Sequence, residues 1–367
     1  VTKVSVTNGR RPAVTFLPSR CQRVVAGCAR SRRGVVMRQI AKAMSAWAVL
    51  VLGSIGVCAA GDRPFDNSRH VDMRGASLHV RDWHPASTPL LPAAARCPVL
   101  LVHALAGSTY SFRHVAPALA AAGHRVLAID LPGYGYSARR PFEGSAAEAL
   151  GHLLDGEARG ARWCLVGQSM GARVVGQMVA LAPQRAGAAV YLSGSPVRER
   201  RRNPSMFRAQ PLRGMVLAMA ERRYLRADGL ADVMEEGLGR RPEPLELAAY
   251  LAPLQQPGTL PAILDGYARD MGPDRTEAVQ LATTPTLVLW GARDRWLKPE
   301  IGEALAAALP DARWVLVEAA AHSPMETHPD AVLPPLLALF DEAAPRALTA
   351  TSPTAAVSPA ASGSSPP

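Results

Sequence analysis

The pentapeptide Gly167-Gln168-Ser169-Met170-Gly171 lies between an apolar run, Trp163-Cys164-Leu165-Val166, and a segment from Ala172 that reads as a helix. In a sharp strand-to-helix turn a serine is held in a strained backbone conformation, and flanking glycines let neighbouring chains pass close enough to expose its hydroxyl. That placement suits a nucleophile, and the helix N-terminus behind it favours the charge that develops on attack. A serine hydroxyl is weakly nucleophilic at neutral pH. It needs a histidine base within hydrogen-bond reach and a carboxylate that orients the imidazole.

The expected chain order is serine, acid, histidine. Of nine histidines, only His322 and His328 lie beyond a usable acid. His322 follows the apolar run Trp314-Val315-Leu316-Val317 in a loop, AAAHSPME, whereas His328 precedes Pro329 at a helix start and reads as a surface residue. His322 is therefore the expected base. The acid should follow a strand, and Asp294 does so at the end of Leu287-Val288-Leu289-Trp290-Gly291-Ala292-Arg293. Asp265, Asp270 and Asp274 fall in an inserted segment, Asp330 follows both histidines, and the run ending at Leu192 leads into Ser193-Gly194-Ser195 with no carboxylate. An acyl intermediate also needs two backbone donors aimed at the oxyanion, each worth roughly 3 kcal/mol. The amide of Met170 is one. Leu105, in the loop His103-Ala104-Leu105-Ala106-Gly107-Ser108 after Val99–Val102, is expected to supply the other.

These residues need a scaffold of alternating strands and helices. Residues 68 to 83 alternate polar and apolar around Arg74-Gly75, a hairpin pattern. Strands are then predicted at 97–102, 124–129, 161–166, 188–192, 286–290 and 312–317, with helices at 110–122, 146–158, 170–182, 299–308 and 330–343 between and after them. Such alternation demands right-handed crossovers and a mostly parallel sheet covered on both faces. The expected organisation is a leader at 1–61, a first part of the core at 62–195, a cap at 196–283 after the sixth strand, a second part of the core at 284–343 and a disordered tail at 344–367. The cap is predicted as short helices broken by Pro204, Pro211, Pro242, Pro244, Pro253, Pro257, Pro261 and Pro273.

Five motifs in this order resemble the α/β-hydrolase fold superfamily, in particular its lidded esterase, lipase and carbon-carbon hydrolase members. HALAGSTYSFR is similar to the family's His-Gly loop, Asp130-Leu131-Pro132-Gly133-Tyr134-Gly135-Tyr136-Ser137 to its D-x-P-G-x-G-x-S turn, and GQSMG to its nucleophile elbow. WGARD resembles its acid turn and AAHSPMETHPD its histidine loop. Ala104 and Ala321 depart from it, since glycine is usual at both positions; the first adds a methyl beside the oxyanion loop. The family's dehalogenases and epoxide hydrolases attack with aspartate, and Ser169 argues against both. Gly133 to Ala138 formally fits a dinucleotide fingerprint, but Arg139-Arg140-Pro141 follows in place of an apolar helix, so no nicotinamide or flavin cofactor is expected.

Composition narrows the remaining classes. The net charge is +11, yet the first 60 residues hold ten Lys or Arg and no Asp or Glu, so the rest of the chain is close to neutral and nucleic-acid binding loses its support. Residues 43–61 are nineteen uncharged residues behind that basic segment, ending Cys58-Ala59-Ala60-Gly61. This describes a cleaved secretory signal first and a retained membrane anchor second, with a cytoplasmic enzyme as the third reading. Met37 and Met44 stand as candidate start residues, since position 1 is Val. Cys97 and Cys164 each lie at or in an apolar strand run and are expected as buried free thiols. No CxxC or HExxH occurs, so no metal site is expected.

The expected function is a serine hydrolase of carboxylic esters, acting on a small-molecule ester substrate and needing no cofactor. Two alternatives stand beside it: a carbon-carbon bond hydrolase using the same triad, and a non-catalytic binding protein on the fold. In the cap, residues 198–226 carry nine arginines against Glu199 and Glu221, expected as a solvated face before a contact for an anionic membrane or acidic substrate. Met206, Phe207, Leu212, Met215, Leu217 and Met219 are candidates both for an acyl pocket and for cap packing.

Overall fold

The computed structural model describes residues 64–73, 75–85, 96–140, 144–197, 211–269 and 275–349. Eight strands form one sheet among these residues: β1 (Ser68–Met73), β2 (Ala76–Trp83), β3 (Val99–Val102), β4 (Val126–Ile129), β5 (Trp163–Gln168), β6 (Ala186–Leu192), β7 (Thr286–Gly291) and β8 (Arg313–Val317). Their order is β1-β2-β4-β3-β5-β6-β7-β8. The hairpin β1–β2 and the β2–β4 pair are antiparallel, and every pair from β4 to β8 is parallel. β3 to β7 are buried along their whole length, as continuous apolar runs must be in a sheet covered on both faces.

Helices α1 (Val115–Ala121), α2 (Ala146–Glu157) and α3 (Met170–Leu181) connect the first strands, and α9 (Pro299–Ala308), α10 (Pro324–Thr327) and α11 (Pro329–Thr349) belong to the second part of the core. One face of the sheet packs Leu150, Leu153, Val175, Val179 and Leu305 from α2, α3 and α9. The other packs Val115, Leu119, Leu336, Leu339 and Phe340 from α1 and α11. The cap, between β6 and β7, contains α4 (Leu212–Tyr224), α5 (Ala227–Leu238), α6 (Pro244–Leu254), α7 (Thr259–Arg269) and α8 (Thr276–Leu281). Pro244 opens α6 at a position where the missing N–H costs nothing, whereas Pro253 lies inside α6 rather than breaking it.

Several expectations need correction. Cys97 and Cys164 are joined in a disulfide rather than held as free thiols. β3 and β5 are parallel neighbours with Val99 opposite Cys164, which brings the two cysteine Cα atoms to 5.8 Å, inside the bridgeable range. The helix predicted at 110–122 is split into a 3-10 turn at Thr109–Phe112 and α1, because Asp130 Oδ1 captures the Thr109 amide at 2.6 Å and Ser108 caps Tyr110. The last helix does not stop at 343: it runs to Thr349, past Pro345, so the first six residues assigned to the disordered tail are helical. Residues 350–367, the leader and its apolar stretch 43–61 lie outside the described residues, and no described helix is long and apolar enough to cross a membrane.

Candidate active site

The chain runs from β3 to β4 on one side of β3 and then returns to place β5 on its other side. At such a switch point the loops leaving the carboxyl ends of the strands diverge and open a crevice. The loop after β3 carries His103 to Gly107, and the turn after β5 carries Ser169.

Ser169 adopts φ 51° and ψ −112°, a strained conformation for a residue with a Cβ, and it is the N-cap of α3. The flanking glycines make the turn possible by close approach. A Cβ on Gly167 would run into the Gly171 carbonyl, and one on Gly171 would run into the carbonyl oxygen of Val102 at the end of β3. Gln168, between Gly167 and Ser169, donates from Nε2 to the His322 carbonyl and the Ser323 hydroxyl, both at 3.4 Å, and so ties the elbow to the histidine loop. Gln168 is not among the site residues expected from the sequence. The signal that marks it is a polar side chain inside the elbow at the end of an otherwise apolar, fully buried strand.

Asp294 and His322 are brought together by the ends of β7 and β8. His322 Nδ1 lies 2.7 Å from Asp294 Oδ2, with both side chains almost wholly buried. The other carboxylate oxygen accepts the amides of Trp296 at 2.9 Å and Leu297 at 3.0 Å, so Asp294 is fixed by the turn it begins. A Cβ on Gly291 would collide with the carbonyls of Ala320 and Ala321, so the acid turn can press against the histidine loop only with glycine there. The Trp296 ring packs on His322 at 4.8 Å between centroids, while its indole N–H donates to Glu236 of the cap at 3.1 Å. With Nδ1 turned to Asp294, Nε2 is the ring nitrogen left for the cavity that His322 and Ser169 both line. His328 is placed elsewhere, half-buried with Nδ1 on the Thr327 hydroxyl at 2.9 Å.

Leu105 and Met170 line the same cavity. The Gly107 amide donates to the Ala104 carbonyl at 3.0 Å and Ala106 takes φ 58°, the third position of a type II turn centred on Leu105-Ala106. His103 anchors this turn. Its Nε2 accepts from the Leu131 amide at 3.0 Å, which leaves the proton on Nδ1 to donate to the Ala104 carbonyl at 2.7 Å. Burial pushes the His103 pKa down, in keeping with a neutral structural imidazole.

The cavity has a volume of about 600 Å³, and the cap closes it with Leu230, Val233, Met234 and Leu238 of α5 and Tyr250 of α6. Of the residues that were candidates for either pocket or packing, Leu212, Met215, Leu217 and Met219 do not line the cavity, Met215 and Met219 being 58% and 66% exposed, and Met206 and Phe207 lie outside the described residues. Of the nine arginines in 198–226, Arg198, Arg200, Arg201, Arg202 and Arg208 lie outside the described residues; of the others, Arg213 pairs with Asp265, Arg223 with Glu236 and Arg226 with Asp228, all carboxylates of the cap itself.

The cap is tied to the core through Arg113, which donates to Glu246 of α6 and to Glu326 of α10, both at 2.6 Å. Burial works against the charged guanidinium, but the Glu326 carboxylate outweighs it and raises the Arg113 pKa. Glu246 also accepts two bonds from Arg240 at 2.8 Å, and chiefly these pull its pKa down to about 2. Tyr250 donates to both Glu326 oxygens at 2.9 Å and contacts the Ser111 hydroxyl at 2.8 Å. Arg139 adds a second tie, donating to Thr259 at 2.8 Å and Gln256 at 2.7 Å. Among the described residues no group of three or more His, Cys, Asp or Glu is arranged to hold a metal ion.

Residues 98–329 match the model of the alpha/beta hydrolase fold family. The chain belongs to that family. It is 28% identical, over 57% of its length and 73% of the relative's, to a 2-hydroxy-6-oxononadienedioate/2-hydroxy-6-oxononatrienedioate hydrolase of Cupriavidus pinatubonensis. It is 27% identical, over 66% of its length and 93% of the relative's, to a pimeloyl-(acyl-carrier protein) methyl ester esterase of Klebsiella pneumoniae. The fold matches that of a thermophilic esterase from Thermogutta terrifontis with a TM-score of 0.55 at 21% identity, covering 75% of this chain and 99% of that one.

Proposed function

We propose that the protein is a serine hydrolase that cleaves carboxylic esters through an acyl-enzyme. The observation that carries this reading is the buried Asp294–His322 pair, 2.7 Å apart, opening onto the cavity that Ser169 also lines. In this scheme His322 Nε2 takes the Ser169 proton as Oγ attacks the ester carbonyl, and Asp294 holds the imidazole and stabilises its charged form. The amides of Leu105 and Met170 receive the oxyanion. His322 then protonates the leaving alcohol, and a water activated by the same nitrogen releases the acid.

Hydrolysis of p-nitrophenyl esters from acetate to palmitate by the full chain tests this, with Ser169→Ala as the control. Turnover that falls by at least about a thousandfold in the variant is expected; turnover undiminished by the substitution would refute the assignment. The Cupriavidus relative favours a second reading, carbon-carbon cleavage of a vinylogous diketone by the same residues. Loss of dienol absorbance on such a substrate, with no ester turned over, would select it.

Work outside the reducing cytosol is part of the proposal. The buried Cys97–Cys164 bridge is of the kind that persists in oxidising compartments, and it agrees with the export signal read at residues 43–61.

A further inference from the structure

Ser111, Tyr250 and Glu326 form one wall of the cavity, and their hydrogen bonds fix where every proton on that wall points. Burial raises the Glu326 pKa and the Arg113 guanidinium at 2.6 Å opposes it; as the carboxylate of this ion pair Glu326 only accepts. Tyr250 has one proton and donates it to Glu326 at 2.9 Å. At the 2.8 Å contact between Ser111 and Tyr250, Ser111 must therefore be the donor. What the wall has left to offer is acceptors alone: lone pairs on Ser111 Oγ, one on Tyr250 Oη, and the unshared capacity of Glu326 Oε1.

This wall borders the proposed oxyanion turn, because a Cβ on Gly107 would lie 3.3 Å from Ser111 Oγ. The remainder of the cap lining, Leu230, Val233, Met234 and Leu238, is apolar. Arg173, one helical turn beyond Ser169, is a separate charged group of the cavity.

We propose that the Ser111–Tyr250–Glu326 wall is a subsite for a hydrogen-bond donor on the substrate, a hydroxyl or a protonated amine within reach of the scissile ester. The proposal rests on the ester-hydrolase reading above. An acceptor wall left facing a methyl loses its water without replacement, and a substrate carboxylate meets Glu326 with no proton to give. Ser111 and Tyr250 are thus specificity-determining residues.

The test compares isosteric pairs on the full chain: monobutyrylglycerol against propyl butyrate, methyl 3-hydroxybutyrate against methyl butyrate, and aminoethyl butyrate against propyl butyrate, with monomethyl succinate as the carboxylate arm. At least one donor-bearing ester is expected to exceed its isostere about tenfold in kcat/KM, and the ratio should fall toward one in Ser111→Ala and in Tyr250→Phe. Reading a ratio cancels any general loss of activity in the variants. Equal rates within every pair, preference for the succinate, or a ratio that survives both substitutions would overturn the subsite while leaving the hydrolase intact. The same pairs are titrated calorimetrically into Ser169→Ala, where tighter binding of the donor-bearing member is expected and equal or weaker binding overturns the proposal even if no ester is hydrolysed.

Discussion

Replacing Cys97 and Cys164 together by alanine opens a covalent loop whose ends are 67 residues apart. In the chain-entropy description a loop of that length restricts the unfolded state by about 4.4 kcal/mol at 25 °C. For a domain of this size each kcal/mol moves Tm by roughly 2–4 °C, so a fall of about 10–15 °C is expected by calorimetry. Two alanines also remove buried sulfur. Wild-type protein refolded with and without reductant keeps both sulfur atoms and isolates the covalent contribution. The bridge joins the amino ends of β3 and β5, whereas the proposed oxyanion turn and nucleophile leave their carboxyl ends. At 25 °C kcat/KM should therefore stay within about twofold while Tm falls. Peptide mapping after alkylation without reductant provides the refutation: modification of both Cys97 and Cys164, or a Tm shift below about 2 °C, would mean that no bridge constrains this sheet.

Asp294→Asn should lower kcat by roughly four orders of magnitude with Tm changed by less than about 3 °C. The amide oxygen can still accept from Trp296 and Leu297, but the NH2 group would face His322 Nδ1 and drive the ring proton to Nε2, where it blocks acceptance from Ser169; retained activity in steady-state kinetics would refute the acid's role. Glu246 has a folded pKa of about 2 against an ordinary value of 4.5, so it contributes stability above pH 4.5 that is lost as the pH falls toward 2. After allowance for the solvent-exposed Arg240, the contribution is roughly 2 kcal/mol. Urea midpoints between pH 5 and 2 should fall less steeply in Glu246→Gln than in the wild type, and parallel slopes would refute the assignment.

What the sequence made legible was local or ordered. The elbow around Ser169 could be read because its backbone demand falls on five consecutive residues, and Asp294 and His322 because each ends an apolar run in the expected order. What stayed hidden depends on which strands become neighbours. The Cys97–Cys164 bridge requires β3 beside β5, an order that alternation of strands and helices does not specify. Tyr250 and Ser111 are 139 positions apart and meet only when α6 folds over the 3-10 turn. The choice between the two roles open to the cap methionines was hidden for a related reason. α4 is as rich in methionine as a pocket helix, but it packs on α5 from outside and leaves the cavity to Leu230, Val233 and Met234.

The position of the cap within the chain has a consequence for synthesis. The cap separates β6 from β7, so a growing chain completes the elbow and Ser169 long before it contains Asp294 or His322. β7 and β8 are also the last strands in the chain and stand together at one end of the sheet. On the proposed triad, a nascent or C-terminally truncated chain would carry Ser169 with neither base nor acid beside it and would be inactive as a hydrolase. In the proposed triad Ser169 would gain its acid and base only after the cap has been synthesised and β7 and β8 have paired, so a chain still emerging from the ribosome would not yet hydrolyse the proposed ester.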